Sequence, residues 1–212
     1  VRLSEAFERF LFLAYGSILQ GVNNLQGNWD DKLEHEIIKT QEQARDWKMY
    51  AHAFSILTSL MEKIHTDFLG DFAGACSALN TSVGQFLTPY SLCKAIAEMT
   101  IPEDIKPSDK RLMIQEPAIG AGATVIAMLP TLKSKGFRPC DYYVEGWDIS
   151  VTAYRMAYIQ LSLLGIPAKV VNGDSLSREV FDSAPTLTLA MFPYKKRTEY
   201  KTTKIRRRRV KK

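Results

Sequence analysis

From residue 110 onward, short apolar runs alternate with helix-patterned segments, and this alternation constrains the fold more than any other feature. "RLMIQEPA", "DYYVEGWDI", "AKVVNGDSL" and "TLTLAMF" read as strands, and residues 122–134 and 150–164 read as helices between them. Such a β-α-β succession predicts an α/β fold in which a parallel sheet is wound with helices on both faces. In that architecture ligands sit beyond the carboxyl ends of the strands, where strand order reverses. The strand ends are therefore where candidate functional residues are sought.

The first strand runs into "EPAIGAGA". Gly120 and Gly122 let the backbone turn tightly and approach a ligand where a Cβ would collide, and the following helix presents free N–H groups. A dinucleotide fingerprint would need a third glycine where Val125 stands, which weakens a nicotinamide reading. The second strand ends in Asp148, a carboxylate able to accept both hydroxyls of a ribose, with Ile149 beside it to pack on a flat base. The third ends in Asn172, Gly173, Asp174 and Ser175, a polar edge suited to an adenine amino group. Each acidic residue alone has a competing use as a helix cap or turn former, and Asp148 directly precedes Ser150 and a helix.

Residues 1–80 read as helical. Phe7, Phe10, Leu11, Ala14 and Ile18 recur at helical spacing behind Ser4, an expected N-cap, and "GVNNLQGNWDD" is expected to break that helix. A second helix should start near Lys32. A third carries Tyr50, Phe54, Leu57, Met61, Ile64 and Phe68 in a seam that suits its own core or a partner helix.

The 46% hydrophobic and 24% charged content is that of an ordinary globular chain, and no run approaches the length of a membrane span. Without a signal-peptide layout at the N-terminus, a cytoplasmic protein is expected. Cys76, Cys93 and Cys140 lack CxxC spacing and read as buried free thiols; His35, His52 and His65 lack metal-ligand spacing. The net charge of +5 divides unevenly: the last 18 residues carry +10 and the first 194 carry −5. The tail "KIRRRRVKK", with Arg206, Arg207, Arg208 and Arg209, suits salt-sensitive phosphate binding or is a solvated end without a partner.

Taken together, these segments resemble the N6-adenine DNA methyltransferases that serve as modification subunits of type I restriction systems. "DFLGDFAGACSALNTSVGQFLTPYSLCKAIAEM" looks like the entry to their catalytic domain. In that family a Gly-Gln-Phe-x-Thr-Pro stretch folds over S-adenosylmethionine, and Gly84, Gln85, Phe86, Thr88 and Pro89 match it. "EPAIGAGA" is similar to the cofactor loop, with Glu116 as its acidic residue and Pro117, Ala118, Gly120 and Gly122 in register. "GWDIS" is similar to the ribose-binding strand end, implying that role for Asp148 with Ile149 alongside. "NGDSL" is similar to the element that contacts the cofactor's adenine, implying it for Asp174 and Ser175. The resemblance spans about residues 67–194 and implies a Rossmann-like S-adenosylmethionine-dependent methyltransferase fold, truncated after the fourth strand.

It also gives meaning to "LAMFPY". The family's fourth strand ends Asn-Pro-Pro-Tyr or a close variant; here Met191 replaces the Asn and Phe192 the first Pro, while Pro193 and Tyr194 are kept as a catalytic remnant. The exocyclic amine of adenine is a poor nucleophile because its lone pair is delocalised into the ring. The family's Asn side chain and adjoining proline carbonyl accept hydrogen bonds from that amine and favour attack on the methyl group. A thioether accepts only weakly. The expected organisation is a helical region over 1–80, a cofactor-binding domain over 81–194 and a basic tail over 195–212. Three functions stay open. The first is a protein that binds S-adenosylmethionine and DNA with weak or lost catalysis. The second is an active DNA adenine methyltransferase joined to a specificity subunit through its N-terminal helices. The third is a regulatory protein that mimics a modification subunit.

Overall fold

The computed structural model describes residues 2–44, 46–76 and 87–192. Helix α1 (Leu3–Leu25) begins behind Arg2 rather than Ser4, which lies in its first turn. It also runs through Gly21, Asn23 and Asn24, where the sequence pattern predicts a break. Gln20 and Val22 are buried on its inner face, and the Gln20 amide donates to the Asp30 carbonyl at 2.9 Å, so tertiary contacts hold the last turn. The helix stops at Gly27, whose φ of +73° suits glycine. There Asn28 N–H donates to Asn23 and Gly27 N–H to Asn24, closing the turn as a Schellman motif.

Helix α2 (Asp31–Gln43) is capped by Asp30, whose side chain accepts from Leu33 N–H at 3.0 Å. Helices α3 (Trp47–Lys63) and α4 (Phe68–Ala75) divide the expected seam. Tyr50, Leu57 and Met61 face the protein's own core, whereas Ile64 lies beyond the end of α3 and is exposed. Helix α5 (Tyr90–Thr100) leads to the sheet.

Strands β1 (Leu112–Glu116), β2 (Tyr142–Asp148) and β3 (Ala168–Asp174) pair in parallel in the order β1-β2-β3, joined by helices α6 (Ala123–Ser134) and α7 (Val151–Leu163). Helix α7 is enclosed on all sides: Tyr154, Met156, Ala157, Tyr158, Ile159 and Leu161 are all buried. It lies between the sheet and α1, and one hydrophobic core runs from Phe7 on α1 to Ala184 near the end of the chain's sheet. The N-terminal helices therefore fold onto the α/β unit. No helix among the described residues is long and apolar enough to cross a membrane.

The fourth strand departs from expectation. Strand β4 is Glu179–Pro185, antiparallel to β3, and residues Leu187–Met191 form a short helix, α8. The sheet is thus mixed. Five of the seven β4 residues are exposed, so no apolar run marks it in the sequence. It forms because the turn after Asp174 folds the chain back: Arg178 adopts a φ of +65° and its N–H donates to the Asp174 carbonyl at 2.8 Å. Thr186 then ends the strand. Its hydroxyl donates to Ile166 C=O at 2.6 Å and accepts from Ala168 N–H at 3.0 Å, while Ala190 N–H donates back to the Thr186 carbonyl.

A candidate cofactor site at the carboxyl ends of the strands

The sheet register sets the tips side by side: Glu116 of β1 lies opposite Gly146 of β2, and Asp148 of β2 opposite Asn172 of β3. After Glu116 the chain turns through Pro117–Gly122, with Gly120 at φ +57° and Gly122 at φ +98°. A Cβ on Gly120 would stand 3.0 Å from Leu87 Cδ2, whereas one on Gly122 would make only ordinary contact with Leu161 and Ala157 of α7. Both glycines are thus required by their left-handed backbone conformation.

Asp148 joins this loop to the second strand. One carboxylate oxygen accepts from Gly120 N–H and the other from Ser150 N–H, both at 2.9 Å. Ser150, not Asp148, caps α7, with its hydroxyl accepting from Ala153 N–H at 3.4 Å. A carboxylate has about four acceptor positions, so Asp148 keeps lone pairs for a ligand. Ile149 beside it is 67% exposed, an apolar surface at the strand tip.

Glu116 is held in a similar way. Thr124 Oγ donates to one of its oxygens at 2.9 Å and Ala118 N–H to the other at 3.3 Å. Thr124 carries no motif signal; a hydroxyl in the first turn of the helix after a glycine loop is the clue available. Thr88 and Pro89 are exposed at the start of α5, where the buried Cys93 thiol donates to the Thr88 carbonyl at 3.7 Å. Burial pushes the Cys93 thiol up, and the nearby Asp67 and Glu116 carboxylates push it further. The start of α5 is therefore close enough to the tip of β1 to feel its charge.

The third tip differs from the sequence reading. Asn172 turns inward and donates to the carbonyls of Asp148 and Ile149, each at 3.0 Å, so it braces the second tip rather than offering its amide outward. Asp174 accepts from Leu176 N–H at 2.8 Å and Ser177 N–H at 3.3 Å; these amides hold its carboxyl below the usual carboxylate range. Asp174 thus shapes the β3–β4 turn, with Ser175 half-buried beside it.

Met191 and Phe192 fall elsewhere. Thr186, at the start of α8, bonds to Ala168 at the beginning of β3, and the Phe192 carbonyl accepts from Arg111 at 3.2 Å, just before β1. The pair therefore lies at the amino ends of the strands, opposite the glycine loop, and not at a strand's carboxyl end as the sequence suggested. Gln85, Phe86, Pro193, Tyr194 and Arg206–Arg209 lie outside the described residues. The three thiols are free; Cys93 is buried, Cys76 half-buried and Cys140, against expectation, exposed. Among the described residues no cluster of three or more potential metal ligands occurs.

A glycine turn after β1, anchored on a carboxylate at the tip of β2, defines an α/β protein built to take a nucleoside-containing cofactor. Residues 58–211 match the N-6 DNA Methylase family, and the chain belongs to that family. A relative, the type I restriction enzyme MjaIX methylase subunit of Methanocaldococcus jannaschii, is 25% identical over 74% of this chain and 28% of its own length. The chain thus spans less than a third of that relative. A solved structure described as a putative class I S-adenosylmethionine-dependent methyltransferase from Listeria monocytogenes aligns with 84% of this chain and 56% of its own at 16% identity and a TM-score of 0.40. Family membership implies S-adenosylmethionine as the cofactor. The tips fit such a molecule: the glycine turn bares its backbone at the end of β1, Asp148 retains acceptor capacity and Ile149 offers an apolar face.

Proposed function

We propose that this chain binds S-adenosylmethionine at the tips of β1 to β3 and DNA through its basic tail, with weak or absent methyl transfer of its own. The observation that carries the reading is the separation of two features. The glycine loop and its Asp148 anchor are complete, whereas Met191 and Phe192 lie at the amino ends of the strands. Glu116, Gly120, Gly122, Asp148 and Ile149 would hold the cofactor, which supplies an electrophilic methyl group when bound. Activation of an adenine amine needs an acceptor near that group. Met191 is 60% exposed, has a thioether in place of an amide, and sits at the amino ends of the strands, away from the glycine loop. Losing about 2.7 kcal/mol of transition-state stabilisation already lowers a rate about a hundredfold.

A second reading, an active adenine methyltransferase, is favoured by the short coverage of the methylase-subunit relative, since the acceptor could come from chain or subunit outside these residues. A specificity subunit would then meet the N-terminal helices, where Met49, Ile56, Leu60 and Phe72 are exposed around an apolar groove between α1, α3 and α4. Calorimetric titration of S-adenosylmethionine, with Asp148→Ala as control, tests the pocket: binding that the control abolishes supports both readings, and no binding rejects both. Transfer of labelled methyl groups to DNA then separates them.

A further inference from the structure

Gln160 is a fully enclosed amide on α7, 0% exposed, among apolar neighbours. Burying an amide is costly unless its groups are satisfied, and here they are. Its Nε2 donates to Asp67 Oδ1 at 2.7 Å and to the Ala121 carbonyl at 2.8 Å, and its Oε1 accepts from Leu69 N–H at 3.2 Å. The orientation of the amide is fixed by chemistry: a backbone carbonyl can only accept and a backbone N–H can only donate, so the flipped amide would face both wrongly.

Ala121 stands between the two left-handed glycines of the loop, and its carbonyl belongs to the peptide that carries Gly122 N–H. That N–H donates to the Ile119 carbonyl at 2.9 Å and closes the turn. Asp148 grips the loop from the other side at Gly120 N–H. A leucine of similar volume would fill the space on α7, so packing alone does not call for the amide. Asp67 also serves its own helix. It caps α4 through Gly70 N–H at 2.8 Å, and a Cβ on Gly70 would overlap the Asp67 carboxylate.

We infer that Gln160 is a positioning residue for the glycine loop, holding the Ala121 carbonyl so that the loop keeps its cofactor-ready turn; the functional part of this inference rests on the cofactor reading above. Gln160→Met and Asp67→Ala separate positioning from general stability. The first removes the grip on Ala121; the second removes the α4 cap but leaves that grip.

The test measures amide hydrogen exchange over residues 118–124 in the cofactor-free protein, S-adenosylmethionine affinity, and urea stability for both variants. Gln160→Met is expected to speed loop exchange and weaken affinity, each by about tenfold or more, whereas Asp67→Ala loses stability with loop exchange and affinity within about threefold of wild type. Wild-type loop exchange in Gln160→Met, or equal effects of both variants on the loop, overturns the inference. If the wild-type protein binds no cofactor, that reading fails and loop exchange alone decides the role of Gln160. Should Gln160→Met not fold, Gln160→Leu, of similar volume and with no N–H to give Ala121, makes the same comparison.

Discussion

The Asp148 carboxylate and the Gly120 amide are 2.9 Å apart, so the tip of the second strand holds the turn that leaves the first. The same side chain also accepts from Ser150 at the start of α7. One carboxylate therefore sets the relative position of two segments that a cofactor would touch together.

Asp148→Asn keeps one acceptor oxygen and turns the other into a donor facing an N–H. We expect about 1–2 kcal/mol of lost stability in urea unfolding, with S-adenosylmethionine affinity reduced about tenfold or more by calorimetry. Affinity equal to wild type would remove Asp148 from the site.

Gly173 lies in β3 where the ladder with β4 is irregular, between Asn172 and the turn. A Cβ there would overlap the Glu179 carbonyl oxygen and stand 3.2 Å from Val180 Cα. Backbone cannot swing aside as a side-chain end can. Gly173→Ala should cost on the order of 2 kcal/mol in urea unfolding; a cost near zero would mean that β4 does not pair as closely as described.

Tyr15 on α1, Tyr154 on α7 and Asp182 on β4 share hydrogen bonds: Tyr15 Oη lies 2.9 Å from Tyr154 Oη and donates to Asp182 at 3.0 Å. Tyr154 reaches the same carboxylate oxygen at 3.2 Å. Tyr15→Phe should destabilise by about 1–2 kcal/mol, and a double-mutant cycle with Asp182→Asn should show coupling of about 1 kcal/mol. Strict additivity would detach α1 from the β4 edge.

Burial pushes the Asp67 carboxyl above the usual carboxylate range, the Asp71 charge adds to the rise, and the bonds from Gln160 and Gly70 oppose it. A raised folded-state value means the fold holds that proton more tightly than the unfolded chain does. The resulting stabilisation is full below the unfolded value and is lost as pH rises through the folded one. Stability relative to Asp67→Asn should therefore fall as pH rises above the ordinary aspartate value of about 4, measured by urea unfolding. A rising difference would reverse the assignment.

Restoring the family's residues with Met191→Asn and Phe192→Pro should leave methyl transfer unchanged, because both positions face away from the glycine loop. Labelled cofactor and DNA provide the assay. A clear gain would show that this segment can reach the strand tips.

Much of the first three strands was legible in the sequence. "DYYVEGWDI" and "AKVVNGDSL" are β-rich runs, buried over most of their length, and each ends in a polar tip; the glycines at 120 and 122 announced a turn that only they could make. The same local signals misled where tertiary contacts outweighed them. "TLTLAMF" looks like a strand, yet Thr186 spends its hydroxyl on Ile166 and Ala168 and starts a helix, while the polar segment before it becomes the strand because β3 offers an unpaired edge.

Local chemistry, carried by one residue and its sequence neighbours, was thus readable from the chain alone: where strands end, which glycines turn, which end is basic. Contacts between distant residues were not. That Asn172 faces inward, that α7 is covered by α1, and that Gln160 binds Asp67 and Ala121 depend on partners 23 to 139 positions away. Side-chain amides and hydroxyls take whichever donor or acceptor the fold brings within reach, and only the packed tertiary structure decides which that is.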